Sequence, residues 1–178
     1  MFGTKSFYPQ NIKTSIVNKR KTVMVTVNYI SGNARQIDKI IPLWEQLNRQ
    51  HLSMSPYFKE YYKTLTFQDR KRAILQRGFG RQVHVDLALG NADVLVGYCV
   101  SSIDRTLTGE IDSIFVVPEL RERGVGTTLM EKTLEWLKSK GSKKNIVSVA
   151  VGNEQSYVFY EQFGFYPRRT LLEQKNPK

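Results

Sequence analysis

The stretch "VPELRERGVGTTL", residues 117–129, joins a predicted strand to a predicted helix. The segment before it, "EIDSIFVV" (110–117), becomes apolar on both faces, which is typical of a central strand. After Gly124, apolar residues recur at helical spacing. A helix N-terminus offers unpaired N–H groups and a positive dipole end, and glycines let an anion approach the backbone. The stretch is therefore either a helix start that is merely basic or a cradle for an anion.

The two commonest phosphate-binding motifs do not fit this junction. The phosphate-binding loop of nucleotide hydrolases ends in Gly-Lys-Ser/Thr, and the dinucleotide fingerprint needs three glycines in a parallel βαβ unit. The strand before this loop instead follows "QVHVDLAL" (82–89) and "VLVGYCVSSI" (94–103) through hairpin-length connections. The sequence therefore favours a different class of phosphate-bearing ligand.

The rest of the chain alternates between strand and helix patterns. The predicted elements are strand 22–30, helix 34–50 with a kink or boundary at Pro42, helices after Pro56 and over 68–77, the three strands above, a helix from Gly124 to Gly141, strand 145–151, a short helix from Asn153 to Phe163 that Asn153 caps and Gly164 ends, and strand 165–172. This order predicts an α/β (α+β) fold with a mixed central sheet.

Length and charge bound the domain organisation. At 178 residues the chain suits one domain, and we expect residues 22–178 to form it. Six lysines and arginines precede Asp38, the first acidic residue, so residues 1–21 are expected to form a basic, flexible arm. Such an arm can contact nucleic acid, but the chain lacks basic–aromatic interleaving and any DNA-reading motif, which disfavours that partner. No apolar run approaches the length of a membrane span.

The inventory of cysteine and histidine limits redox and metal chemistry. Cys99 is the single cysteine of the chain, which excludes an internal disulfide and suits a reducing cytoplasm. The chain has two histidines, His51 and His84, so we expect no metal centre. Because it lies within a strand pattern, Cys99 is expected to fill the core.

Two segments resemble the motifs of the GNAT acetyltransferase superfamily. Arg121, Gly124 and Gly126 match its motif A, Arg/Gln-x-x-Gly-x-Gly/Ala, in order. "NEQSYVFYEQFGF" (153–165) is similar to its motif B, with Ser156 where alanine is usual. Glu122 stands where glycine or arginine is frequent, and its side chain is expected to point outward. The resemblance covers about residues 22–172 and implies a mostly antiparallel sheet flanked by helices on both faces.

The resemblance implies acetyl-coenzyme A as co-substrate and no metal. In that family the motif A loop holds the pyrophosphate, and the amides of the preceding strand, here at Phe115 and Val117, hold the pantetheine arm. An N–H near Val116 would stabilise the oxyanion of the reaction. The implied coenzyme contacts are Phe115, Val116, Val117, Arg121, Glu122, Arg123, Gly124, Val125, Gly126, Thr127, Asn153 and Tyr160.

Transfer of an acetyl group from a thioester to an amine needs a base for the amine and an acid for the departing thiolate. Tyr160 is the candidate acid, and it follows Asn153 by seven residues, so the two should share a helix face; the alternative is a core aromatic residue. Glu110 and Asp112 are the candidate bases, since they lie two apart on one strand and so share a face. Alternatively, Glu110 is exposed at the hairpin end, or both carboxylates recognise a cationic acceptor.

The acceptor is not identified by these motifs. By resemblance, His51, Tyr57 and Phe58, with Tyr61 and Tyr62, form the acceptor wall; otherwise they pack between helices. The function expected is direct N-acetyl transfer, in a ternary complex, to a small amine, an amino sugar or a peptide amine. The alternatives are a catalytically silent coenzyme A-binding regulator and, with less support, a basic nucleic-acid-binding module. Dimers are common in the family, although no exposed apolar stripe marks an interface.

Overall fold

A six-stranded sheet, with its strands in the spatial order of the chain, organises residues 11–18, 21–78 and 82–175, which the computed structural model describes. The strands are β1 (Asn11–Asn18), β2 (Lys21–Asn33), β3 (Val83–Leu89), β4 (Leu95–Ile103), β5 (Thr108–Val116) and β6 (Lys144–Val147). Neighbouring strands pair antiparallel from β1 to β5, and β6 pairs parallel to β5. The predicted mixed and mostly antiparallel sheet is confirmed.

Helices cover both faces of this sheet, also as predicted. They are α1 (Ile41–Met54), α2 (Lys59–Thr64), α3 (Phe67–Arg77), α4 (Val125–Ser139) and α5 (Tyr157–Glu161), with a 3-10 segment over Ala34–Ile40 before α1. On one face, Leu129 and Met130 of α4 pack in a core cluster with Val27 and Ala88 of the sheet. On the other face, residues of the 3-10 segment, α1 and α3 pack in a second cluster against β3 to β5. The sheet therefore separates two cores.

Pro42 marks a helix boundary, as the sequence predicts. The 3-10 segment ends at Ile40, and α1 begins at Ile41 with Pro42 in its first turn. Proline is tolerated there because the first N–H groups of a helix have no helical partner.

Gly141, with φ +74°, follows the end of α4, which confirms its predicted role as a stop.

A β-bulge in β5 shapes the edge of the sheet next to β6. Val100 of β4 lies opposite Ser113, and Ser101 lies opposite Ile111, so Asp112 is the extra residue. Such a bulge bends the strand that carries it. The pairing of β5 with β6 ends at Ile111, while β5 continues to Val116. We call the unpaired outer edge of β5 from Asp112 to Val116 the β5–β6 gap.

One predicted strand is shorter than expected, and another does not form. The strand predicted over 145–151 covers only Lys144–Val147, since its pairing with β5 ends at Ile111, next to the bulge. The strand predicted over 165–172 does not form. Pro167 cannot donate to a ladder, and Leu171 and Leu172 are 87% and 89% exposed, so no buried face fixes a register.

The predicted flexible arm is also wrong in part. Residues 11–18 form β1 and pair with β2, from Asn11 opposite Asn28 to Asn18 opposite Lys21. Their sequence, NIKTSIVN, is rich in β-branched residues, which favour a strand, and Lys13 is its one basic residue. Residues 1–10, 19 and 20 of the predicted arm lie outside the described residues. Within the described ranges, no helix has the length and apolar character needed to cross a membrane.

Candidate active site

The β5–β6 gap exposes backbone groups of every second residue of β5. The N–H of Val117 donates to the carbonyl oxygen of Val96 at 3.0 Å, so the residues of β5 in phase with Val117 face β4. By that alternation the N–H groups of Ile114 and Val116 face the gap. The expectation that the amides of Phe115 and Val117 hold a ligand is therefore wrong, because both amides face β4. The predicted donor at Val116 points into the gap.

The loop after β5 ends at an uncapped helix. Glu122 and Gly124 adopt left-handed backbone conformations, with φ of 58° and 80°. No side chain caps α4, and the first helical bond runs from the N–H of Thr128 to the carbonyl oxygen of Gly124 at 2.9 Å. The preceding N–H groups, at Val125, Gly126 and Thr127, therefore have no helical partner and lie at the positive end of the helix dipole. This arrangement fits the predicted anion cradle.

The side chains of this loop differ in their exposure. Glu122 is exposed, which confirms that its side chain points outward, and Arg123 is half-buried. Val125 is buried in the core under α4, so only its backbone is available to a ligand. A Cβ atom built on Gly126 would lie 3.4 Å from the Phe159 ring, so Gly126 marks a close approach of α4 to α5.

Arg121 lies beside the gap, where its guanidinium group contacts both β5 and α1. Its Nε donates to the carbonyl oxygen of Val116 at 3.0 Å, and its Nη2 donates to Oε1 of Gln50 in α1 at 3.1 Å. Its guanidinium carbon lies 5.3 Å from the centre of the Phe115 ring. Arg121 therefore ties the end of β5 to α1 and places a positive charge at the edge of the gap.

The segment predicted as one short helix consists of two pieces. A 3-10 turn over Glu154–Ser156 precedes α5, so the prediction of one continuous helix is wrong. That Asn153 and Tyr160 share a face stays a prediction. Asn153 occupies the cap position, but its side chain makes no cap hydrogen bond. Instead its carbonyl oxygen accepts from the N–H and Oγ of Ser156, at 3.0 and 2.8 Å. The predicted capping role of the Asn153 side chain is also wrong.

Tyr160 packs among aromatic rings next to the core beneath α4. Its ring centre lies 5.4 Å from that of Phe159 and 6.3 Å from that of Phe165. Burial raises the pKa of Tyr160 above its ordinary value, and the nearby Cys99 thiol raises it further. Tyr160 is therefore protonated at neutral pH, as a proton donor must be. Its catalytic role remains a prediction.

On the opposite face of the sheet, the two candidate bases line one cavity. The cavity has a volume of about 610 Å³ and lies between α3, the β4–β5 turn and β5. Its charged lining residues are Arg70, Arg77, Asp104, Arg105, Glu110 and Asp112. Both candidate bases thus share a face, as predicted. The proposed exposure of Glu110 at the hairpin end is wrong, since Glu110 is only 8% exposed.

The two carboxylates have different partners. Glu110 forms an ion pair through Oε2 with Nη2 of Arg77, and Ser148 Oγ lies 3.5 Å from its Oε1. Arg77 also approaches Asp104, with Nη1 3.8 Å from Oδ2. Asp112 is held through its backbone, because its carbonyl oxygen accepts from Nη2 of Arg70. Its Oδ2 is buried and lacks a hydrogen-bond partner among the described residues.

The predicted acceptor residues divide into two groups. His51, in the last turn of α1, is half-buried and stacks at a tilt on Tyr62, with 5.5 Å between ring centres. Burial lowers the pKa of His51, and the charge of Arg70 lowers it further. Phe58 is half-buried, while Tyr57 is 66% exposed. Neither His51 nor Tyr57 is among the residues that line the cavity, and their role toward an acceptor stays a prediction.

A match to a protein-family model shows the family to which this chain belongs. The model of the acetyltransferase (GNAT) family matches residues 44–165. The chain belongs to this family. Two curated relatives of this GNAT member are an uncharacterized N-acetyltransferase of Methanocaldococcus jannaschii, 38% identical over 72 residues, and N-alpha-acetyltransferase 30 of Schizosaccharomyces pombe, 33% identical over 69 residues.

These relatives match the GNAT chain over limited regions. The first match covers 40% of this chain and 32% of the relative, and the second covers 38% and 46%. Among solved structures, the aminoglycoside N-acetyltransferase AAC(6′)-Iy, in complex with the bisubstrate analogue CoA-S-monomethyl-acetylneamine, has a TM-score of 0.55 and 20% identity. That match covers 85% of this chain and 99% of the other. At this identity the likeness shows the fold.

Sequence reasoning missed two residues near the candidate bases of this GNAT member. Arg70 and Arg77 lie seven apart on α3, so they share the helix face that lines the cavity. Their spacing within "FQDRKRAILQR" is a readable signal, but surrounding basic residues conceal it. Only the packing of α3 against β5 identifies which arginines meet the carboxylates.

The remaining sequence candidates serve the core of the GNAT domain. Cys99 is fully buried, and burial raises the pKa of its thiol, which confirms its expected place in the core. His84 stacks on Trp136 with 4.8 Å between ring centres, and its Nε2 lies 3.1 Å from Oδ2 of Asp86. In the part of the chain that the structure describes, no cluster of His, Cys, Asp and Glu could hold a metal ion.

Proposed function

We propose that this chain is an acetyl-coenzyme A-dependent N-acetyltransferase that transfers the acetyl group directly to a primary amine in a ternary complex. One observation carries the proposal. The β5–β6 gap, with the N–H groups of Ile114 and Val116 along it, leads to the uncapped start of α4, and Tyr160 of α5 packs against the core cluster that contains Val116. Membership of the GNAT family supports this use of the gap.

The donor site would be built largely from backbone groups. The gap-facing N–H groups of β5 suit the amide-bearing pantetheine arm, and the N–H groups of Val125, Gly126 and Thr127 suit the pyrophosphate. The left-handed turn at Gly124 allows this approach, and the charge of Arg121 lies at the same edge. These residues fit acetyl-coenzyme A, which supplies the acetyl group as a thioester.

The proposed chemistry uses one donor on each side of the thioester. The N–H of Val116 would stabilise the negative charge that develops on the carbonyl oxygen. Tyr160 would donate a proton to the departing sulfur, since its raised pKa keeps it protonated. A buried Cys99 thiol without activation supports direct transfer over an acyl-enzyme and suits a reducing, cytoplasmic setting.

The proposal is tested by mixing the protein with acetyl-coenzyme A and a panel of primary amines, including an α-amino peptide, a polyamine and an aminoglycoside. Release of free thiol and the acetylated product are measured together. We expect equal amounts of both with at least one amine, and none with the same amine already acetylated. Tight coenzyme A binding without thiol release across the panel would contradict the proposal and favour a regulatory coenzyme A-binding protein.

A further inference from the structure

Three arginines and three carboxylates line the cavity between α3 and β5, and they do not all pair with each other. We propose that the acceptor of this chain is a primary amine that also carries a carboxylate, and that the guanidinium group of Arg70 binds this carboxylate. The proposal rests on the proposed acetyltransferase function and names the class of acceptor and the residue that selects it.

Two of the three carboxylates of the cavity are balanced within the protein. Glu110, which is only 8% exposed, forms an ion pair with Arg77, and Oδ2 of Asp104 lies 3.8 Å from Nη1 of the same arginine. Oδ1 of Asp104 accepts hydrogen bonds from the N–H groups of Thr106 and Thr108, at 2.8 and 3.0 Å. These partners weaken the attraction of both carboxylates for a cationic ligand.

The third carboxylate, that of Asp112, adds little negative charge to the cavity. Its Oδ2 atom is buried. Burial raises the pKa of Asp112 to about 7, and the charge of Glu110 adds to this shift, whereas Ser102 and the arginines of α3 oppose it. Near neutral pH this side chain therefore carries only part of a negative charge.

Arg70 is the arginine of α3 whose charge is not balanced. Its Nη2 donates to the carbonyl oxygen of Asp112, and among the described residues no acidic side chain forms an ion pair with it. The side chain is half-buried and lines the cavity. A guanidinium group presents its N–H donors as a planar fork, which a carboxylate matches with parallel hydrogen bonds. Arg70 therefore offers a carboxylate both a positive charge and donors.

The position of Arg70 also sets the length of such an acceptor. Arg70 contacts Asp112, where the β5–β6 gap begins, and the N–H of Val116, the proposed site of the thioester carbonyl, lies further along the gap. The strand between these two residues spans about 13 Å. A hydrogen-bonded contact of about 3 Å at each end leaves about 7 Å between carboxylate and amine. With bonds of about 1.5 Å, a chain of about five methylene groups spans this distance, and a free α-amino acid is too short.

A matched set of amines tests the proposal. The set consists of ε-aminocaproate, its neutral amide and hexamethylenediamine, which differ in the charge at the end remote from the amine. The peptides Ala-Glu-Ala and Ala-Gln-Ala, both with an amidated C-terminus, show whether a peptide or a free amino acid supplies the carboxylate. The value of kcat/KM is measured at pH 7 with saturating acetyl-coenzyme A. In at least one pair we expect the carboxylate form to exceed its amide by about tenfold or more, and the diamine to be no better than the amide.

Variants of α3 assign this preference to one side chain. Arg70→Gln should reduce the carboxylate-to-amide ratio to about one, and Arg70→Lys should retain part of it, because lysine keeps the charge but loses the fork. Arg72→Gln is the matched control and should keep the wild-type ratio, since Arg72 lies exposed on the same helix and pairs with Asp69. Both rates in a ratio come from one preparation, so a loss of folded protein cancels.

The outcomes separate the proposal from the function on which it rests. If the wild type acetylates no primary amine, the proposed function fails and the proposal fails with it. If the wild type acetylates amines without preferring either carboxylate form, the proposed function stands and the proposal is overturned. A preference for the carboxylate that persists in Arg70→Gln would show that another group binds it, which also overturns the proposal.

Discussion

The proposed donor side and the proposed acceptor side of the site are built from different chemical groups. The donor side consists of backbone N–H groups along the β5–β6 gap and at the start of α4, positioned by a left-handed glycine. The acceptor side consists of charged side chains from α3, from β5 and from the β4–β5 turn, and some of them are buried. A backbone site costs little to fold because its strand and helix form anyway. A site of buried charges carries a desolvation cost that the rest of the fold must offset.

The largest expected effect is on stability at the acceptor side. The pKa of Asp112 is about 7 in the folded protein, above the 3.8 of an ordinary aspartate. Its contribution to stability is therefore fully present below about pH 4 and is lost as pH rises through about 7. We expect the free energy of unfolding of wild type, minus that of Asp112→Asn, to fall by about 4 kcal/mol over this range. Urea unfolding at several pH values measures it.

A donor-side variant provides the matched comparison for this experiment. Tyr160→Phe removes a group that is neutral throughout the range from pH 4 to 8, so its stability difference from wild type should not change with pH. A pH-dependent difference for Tyr160→Phe, or a constant one for Asp112→Asn, would break the distinction between the two sides.

The next effect concerns turnover. Tyr160→Phe should lower kcat by about 100-fold, because the departing thiolate loses its proton donor. Coenzyme A affinity should stay within about twofold, since the ring contacts of Tyr160 with Phe159 and Phe165 remain. Tyr166→Phe is the control, since Tyr166 is 71% exposed. A kcat of Tyr160→Phe equal to that of wild type would show that Tyr160 only packs against its neighbours and donates no proton.

A smaller effect is expected from the charge at the edge of the gap. Arg121→Glu should weaken acetyl-coenzyme A binding by at least tenfold, about 1.4 kcal/mol, because a negative charge replaces a positive one beside the anion site. Titration calorimetry measures this, with the exposed Arg35→Glu as control. An affinity equal to that of wild type would show that the backbone alone holds the donor.

The smallest expected effect is that of His51 on acceptor binding. The pKa of His51 is lowered by burial and by Arg70, so the imidazole is neutral at neutral pH and can accept a hydrogen bond from an amine. His51→Gln should raise the acceptor KM by about threefold through one weakened hydrogen bond and leave coenzyme A affinity unchanged. A change in coenzyme A affinity with a constant acceptor KM would place His51 on the donor side.

The same contrast explains what the sequence could predict. The donor side requires glycines and a strand–loop–helix order, and Arg121, Gly124 and Gly126 display both within one short stretch. The hydrogen bond from Val117 to Val96 was not predictable, because the phase of a strand's N–H groups depends on its pairing. The acceptor side depends on Arg70 and Arg77 meeting β5 from a distant helix, which no local pattern reveals.

Errors in the predicted fold have related causes. The strand predicted over 165–172 does not form, because Pro167 cannot donate to a ladder and β6 ends after four residues. The basic charge of residues 1–21 as a whole concealed a strand over residues 11–18, which their β-branched residues favour. The bulge at Asp112 controls the length of β6 and the position of the gap, and it depends on the register of β5 against β4.

The central claim is that the donor binds the backbone of the gap while the acceptor cavity stays open. Residue-resolved amide hydrogen exchange with and without coenzyme A tests it most directly. We predict slowed exchange at Ile114, Val116, Gly126 and Thr127, and unchanged exchange over Phe67–Arg77. Slowed exchange over Phe67–Arg77, with none at the edge of β5 or the start of α4, would contradict the account.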